Sequence, residues 1–208
     1  FSGGVLVYLA GQLEQEIGIR SAWMVVMFGY GFIMLGIGLY SIRALPAHDE
    51  APKSTSLKEG MEMLKDVIIT FFQKKNIWFS LLFIVFYRFA EGQAIKITPL
   101  FFKAQRTEGG LGLSTSEIGL LYGVFGAIAF VLGSIVAGHF VSKKGLDRKT
   151  LMILCAFFNI PFIAYAFLAI TLPTNLYLIA AAVAIEYFGY GFGFIGIILF
   201  IMQNIAPG

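Results

Sequence analysis

Arg88, Glu91 and Glu186 are ionisable side chains set inside long apolar runs. If those runs are helical, Arg88 lies about 18 Å into one and Glu186 about 15 Å into another, at ~1.5 Å of rise per residue. Glu91 follows Arg88 at i+3, on the same helical face, and Thr98 falls near that face. A charge near the centre of a bilayer costs at least about 2.5–3.5 kcal/mol, so such groups usually face a bundle interior or a wet cavity and mark substrate or proton paths. Arg88 and Glu91 either neutralise one another as a structural pair or also anchor a substrate. Glu186 has no cation in its own run. It is either a protonated, hydrogen-bonded acid held between helices, or a proton carrier that is neutral when buried and ionised when wetted. Lys96 sits about 30 Å from the start of its run at the same ~1.5 Å rise, where snorkelling to the interface competes with ligand binding. Asn159 and Pro161 interrupt a further run, as happens near transporter binding sites. Tyr190, with Tyr122 and Tyr187, offers a ring that either stacks on a sugar or simply packs. The candidate substrate-binding residues are thus Arg88, Glu91, Lys96, Asn159 and Tyr190, and the candidate proton-coupling residues are Glu186 and Glu91.

The elements that must carry these residues read as membrane spans. Apolar runs cover 1–11, 21–42, 76–102, 116–141, 150–172 and 176–203. The first reads as the end of a span, and each of the others meets the roughly 20 residues needed to cross about 30 Å of hydrocarbon. Polar segments 12–20, 43–75, 103–115, 142–149 and 173–175 separate them. Basic residues alternate: many in 43–75 and 142–149, few in the others. The positive-inside rule therefore puts 43–75 and 142–149 in the cytoplasm. Within 43–75, Leu57, Met61, Leu64, Ile68 and Phe72 recur at helical spacing with Lys58, Glu59, Glu62, Lys65 and Asp66 facing elsewhere. That is an amphipathic helix, either lying in the membrane plane or extending the third span into the cytosol. Pro46 and Pro52 make the stretch before it an irregular linker. Glycines 119, 123, 126 and 133 read as a packing face, and Gly189, Gly191, Gly193 and Gly196 as either a packing face or a bend.

Composition excludes several classes. The chain is 58% hydrophobic and 13% charged, against about 45–50% and about 25% for soluble domains. Cys155 is the only cysteine, so no internal disulfide forms. His48 and His139 have no acidic or thiol cluster beside them, so no metal site is expected, and nothing calls for a cofactor. A net charge of +3 confined to two loops is no nucleic-acid footprint. The chain opens inside one apolar run and closes just after another, so it reads as a piece of a longer protein, with the rest of that chain as a partner.

The loop Gly138-His-Phe-Val-Ser142-Lys143-Lys144-Gly145-Leu146-Asp147-Arg148-Lys149 resembles the signature loop of the major facilitator superfamily: Gly, then Asp and a base, then Gly and two bases. Ser142 stands where that family commonly has Asp, and Leu146-Asp147 delay the final basic pair. The resemblance implies that Gly138, Lys143, Lys144, Gly145, Arg148 and Lys149 form a cytoplasmic turn pinning two helix ends. Over residues 78–203 the chain is similar to muropeptide permeases of the AmpG type. Tyr87-Arg88-Phe89-Ala90-Glu91 resembles their Tyr-Lys-Leu-Gly-Asp segment, Ser116-Glu117-Ile118-Gly119-Leu120 with Val124-Phe125-Gly126 their next helix, and Ile185-Glu186-Tyr187-Phe188 their Leu-Glu-Asn-Phe stretch. The resemblance implies roughly helices five to ten of a proton-driven importer of anhydro-muropeptides.

The expected fold is an all-α membrane protein, a partial major facilitator type bundle of about six transmembrane helices. Residues 1–42 close an amino-terminal half, 43–75 link, and 76–208 open a carboxy-terminal half. The expected function is proton-coupled secondary transport of a small solute, a muropeptide or another sugar-containing compound, by a multi-pass protein of the cytoplasmic (inner) membrane. Small-molecule substrate, protons and the lipid bilayer are its partners. The alternatives are a non-transporting receptor or scaffold on the same fold, and a membrane-embedded enzyme using Glu91 and Glu186 as an acid–base pair, for which no nucleophile or metal constellation is visible.

Overall fold

The computed structural model describes residues 2–45 and 57–205. The described residues form an all-helical membrane-type bundle: α1 (Ser2–Ile17), α2 (Ile19–Ala44), α3 (Leu57–Gln73), α4 (Ile77–Lys103), α5 (Thr115–Lys144), α6 (Arg148–Thr171) and α7 (Leu176–Asn204). Among the described residues, helices α2, α5, α6 and α7 are each long and apolar enough to cross a membrane, and α3 and α4 reach that measure only when taken together, across a bend of 85°. The expected linker around Pro46, His48, Pro52 and Lys53 lies outside the described residues.

Local chemistry sets the helix boundaries. Ser114 and Glu117 close a capping box at the start of α5: the Ser114 hydroxyl oxygen accepts from the Glu117 backbone N–H, and the Glu117 carboxylate accepts from the Ser114 N–H at 2.8 Å. Asp147 caps α6 by accepting from the Thr150 N–H at 2.7 Å, and Asn175 caps α7 through the Tyr177 N–H at 2.9 Å. The Asp147 carboxyl is held below its ordinary range, chiefly by the Thr150 backbone and side-chain hydrogen bonds. The glycine-rich loop after α4 folds back on that helix. Leu111 and Leu113 donate to the Phe101 and Phe102 carbonyls at 3.0 and 2.8 Å, satisfying groups that a helix end leaves open.

Three features depart from the expected pattern. Residues 12–20 are helical except for a break at Gly18, because their polar groups find partners without leaving the helix: Glu14 accepts from Trp23 Nε1 at 2.9 Å and from Thr115 Oγ1 at 3.0 Å. Helix α5 contains a π-helical turn at Leu121–Gly126. Helix α6 is broken by a 3-10 turn at Ile160–Phe162, where Pro161 supplies no backbone donor. The amphipathic helix is present, and the 85° bend between α3 and α4 excludes a straight extension of the span.

Helix α7 is the organising strut. It packs most extensively on α5 and next on α6. Its glycines are contact points and not breaks, since α7 is continuous. An added Cβ would meet Phe157 O and Pro161 at Gly189, Phe130 O at Gly191, and the Phe158 side chain at Gly193. Gly133 faces the Phe188 carbonyl in the same way, while Gly119 and Gly123 bring the α5 backbone against Tyr8 and Gly4 of α1. Close helix approach through small residues is how membrane helices associate where lipid removes the hydrophobic drive.

Hydrogen bonds sort the loops into two ends. Arg106 donates to the Leu172 and Pro173 carbonyls, both at 2.8 Å, and Glu14 meets Thr115, so 12–20, 103–115 and 172–175 share one end. Lys74 donates to the Ile205 carbonyl at 2.7 Å at the other.

Gly145 ends α5 at φ 74° and ψ 171°, with open space around the position an added Cβ would take. That backbone region is essentially glycine-only, and occupying it otherwise costs about 1–3 kcal/mol. Gly145→Val is therefore expected to lower the melting temperature of the full-length protein. An unchanged melting temperature, read by thermal unfolding, would contradict this.

Candidate functional site

Arg88 and Glu91 sit one turn apart on α4 and form a two-bonded pair. Arg88 Nε donates to Glu91 Oε2 at 2.7 Å and Nη2 to Oε1 at 2.9 Å. Such fork-to-fork pairing fixes geometry as well as charge. The Glu91 side chain is 4% exposed and that of Arg88 43%, so the carboxylate points inward and the guanidinium outward. The Arg88 guanidinium carbon also lies 5.7 Å from the centroid of the Phe194 ring.

Glu91 opens onto a cavity of about 150 Å³. Helix α4 contributes Glu91, Ala94, Ile95, Thr98 and Pro99; α5 contributes Tyr122, from its π-helical turn; α6 contributes Tyr165; α7 contributes Glu186, Tyr187 and Tyr190. Glu186 is buried at 7% exposure, and its Oε2 accepts from the Tyr165 hydroxyl at 2.9 Å. The tyrosine rings pack in series: Tyr122 to Tyr187 at 5.7 Å and Tyr187 to Tyr190 edge-on at 6.2 Å. Gly126 makes room for this, because its missing side chain would stand 3.1 Å from the Tyr187 ring. Below them Tyr87 donates to the Gly193 carbonyl at 2.7 Å and packs on Phe158, tying α4 to α6 and α7.

The cavity thus gathers Glu91, Glu186 and Tyr190 from the residues singled out in the sequence. Arg88 reaches it only through Glu91. Lys96 is exposed on α4 and does not line it. Asn159 does not line it either: its amide nitrogen donates to the Cys155 carbonyl at 2.9 Å, within its own helix. Gly138, Lys143, Lys144, Gly145, Arg148 and Lys149 are exposed and away from the cavity. The turn they occupy is shaped by the Gly145 backbone and the Asp147 cap. Tyr165 is the partner that the sequence did not single out. Chemically, the site offers one carboxylate neutralised by a guanidinium, a second held by a phenol, and aromatic walls. Among the described residues no group of three or more His, Cys, Asp and Glu side chains is placed to hold a metal.

The chain is similar to the anhydromuropeptide permease of Escherichia coli K12, 26% identical over 195 residues, which are 92% of this chain and 36% of the permease. The likeness is to a membrane permease. The permease of that name from E. coli O157:H7 matches to the same extent. The chain therefore spans about a third of the length of these curated relatives, 36%. No known family model and no solved structure matches the chain. The distant likeness supports a transporter role in general terms, and with the several apolar helices it supports a multi-pass membrane protein.

Proposed function

We propose that the chain is the middle portion, helices five to ten, of a proton-coupled secondary transporter of the major facilitator type in the cytoplasmic membrane. In this reading 1–42 close the amino-terminal half, 43–75 link on the cytoplasmic side and 76–208 open the other half. The solute is a muropeptide or another sugar-containing compound. The observation that carries the proposal is the cavity where Glu91 and Glu186 meet between α4, α5, α6 and α7. Two carboxylates in a span bundle mark a path for protons or substrate. Tyrosine faces suit sugar rings, which present apolar faces and hydroxyl edges.

The cavity volume constrains how the solute binds. At about 150 Å³ the cavity is below the roughly 300–1,000 Å³ of sites that enclose a drug-sized ligand. It suits a wall and a proton relay, with the opposite wall supplied by the rest of the protein. The test is uptake of radiolabelled anhydro-muropeptide by the full-length protein in vesicles with an imposed pH gradient. Accumulation above the external concentration is expected. Conversion of the solute in place of accumulation would identify an enzyme, and neither outcome would leave a receptor or scaffold.

A further inference from the structure

We infer that α3 is a lipid-seated helix whose apolar face rests in the bilayer surface and whose flanking lysines meet phospholipid phosphates. The inference stands whether or not the chain transports a solute. Helix α3 meets α4 at 85°, so if α4 crosses the bilayer near its normal, α3 lies near the membrane plane. The turn between them is set by Asn76 at φ 62°, a left-handed conformation that asparagine tolerates better than most residues. At about 100° per residue, Met61, Leu64, Val67, Ile68 and Phe72 fall on one side of α3. All five are exposed, Met61 at 66% and Val67 at 60%.

Two observations decide what covers this face. The first is continuity. The Phe72 ring lies 5.3 Å from the Trp78 ring across the bend, and Trp78, Phe79, Leu82 and Phe86 are exposed along the outside of α4. The apolar side of α3 therefore runs on into the exposed apolar surface of α4, with Trp78, a residue type enriched at membrane interfaces, at the junction. The second is charge order. Lys58 and Lys65 sit at one border between the apolar and polar sides, whereas Glu59, Glu62 and Asp66 sit at the opposite pole. Cations at the border and acids facing water match a phosphate layer with hydrocarbon beneath it. A protein groove offers no reason for that ordering.

Nitroxide labels at single cysteines, in a cysteine-free background of the full-length chain reconstituted in phosphatidylcholine–phosphatidylglycerol vesicles, test this directly. Labels at Leu64 and Ile68 are expected to collide with oxygen more than with a water-soluble nickel chelate. Labels at Glu62 and Asp66 should show the reverse. Lys65→Glu should shift the Ile68 label towards the chelate, and more so in vesicles rich in phosphatidylglycerol. If Leu64 and Ile68 are immobile and shielded from both reagents, a protein surface covers the face and the inference fails. If all four positions favour the chelate, the helix stands in water and it fails equally. The readout requires no transport, so an inactive protein still gives a decisive result.

Discussion

Glu186→Gln in the full-length protein is expected to abolish uphill uptake while preserving counterflow exchange. Glutamine mimics the protonated acid in shape and keeps a carbonyl oxygen where Oε2 accepts the Tyr165 hydroxyl at 2.9 Å. The buried contact therefore survives, and so should the packing of α6 on α7. On the proposed proton-coupled reading, what disappears is the ability to take up and release a proton as the cavity alternates its exposure. Exchange of labelled for unlabelled solute needs no net proton movement, so it persists. Accumulation driven by pH falls to the level of passive equilibration. Glu186 faces Glu91 from α4, Tyr122 from α5 and Tyr165 from α6, with Tyr187 and Tyr190 on its own helix. Among these cavity-lining groups Glu91 is the other carboxylate, and it is held by Arg88. If the Glu186→Gln protein still concentrates solute against its gradient, the proton travels through Glu91 or through a residue outside this chain.

The candidate site is readable in sequence to the extent that it rests on charge. Arg88, Glu91 and Glu186 stand out because little else in their runs is ionisable, and burial of a charge has few explanations. The structure gathers both carboxylates at one cavity. Tyr165 carries no such signal. It is one aromatic side chain in a chain that is 16% aromatic, and only the crossing of α6 over α7 makes its hydroxyl a partner of Glu186. The π-helical turn that presents Tyr122 is equally silent, since it arises where α5 packs between α1 and α7. Lys96 and Asn159 lie off the lining of that cavity. Both are polar residues in apolar runs, yet one is exposed and the other is satisfied by a carbonyl one turn back in its own helix. At the fold level, hydropathy located the long spans well. It misread 12–20 as a loop because polarity reports what side chains need and not what the backbone does. Glu14 meets that need with Trp23 and Thr115 while remaining helical. The glycine pattern announced close packing, but its partners, Phe130, Phe158 and Phe188, emerge only from the crossing of α5, α6 and α7.

Glu91→Gln should fail in a different way from Glu186→Gln. The pair is bidentate, with Arg88 contributing both 2.7 and 2.9 Å bonds to one carboxylate. A glutamine cannot balance the guanidinium charge, and its amide end replaces one acceptor by a donor facing another donor. Removing one member of a buried ion pair leaves the other unpaired at about 3–5 kcal/mol. Arg88 is 43% exposed on its side chain, so it is only partly desolvated and the loss should fall at or below the low end, about 3 kcal/mol. The expected phenotype is a lower melting temperature and loss of both counterflow exchange and uphill uptake. Arg88→Lys should be milder, because lysine keeps the charge but cannot fork onto both oxygens. The double substitution Arg88→Gln with Glu91→Gln separates structure from function. If the pair is only a structural anchor, removing both charges restores stability and transport together. If it also positions the solute, stability returns and exchange does not. A Glu91→Gln protein that is as stable as the parent and exchanges solute at the same rate would remove Arg88 and Glu91 from the site altogether.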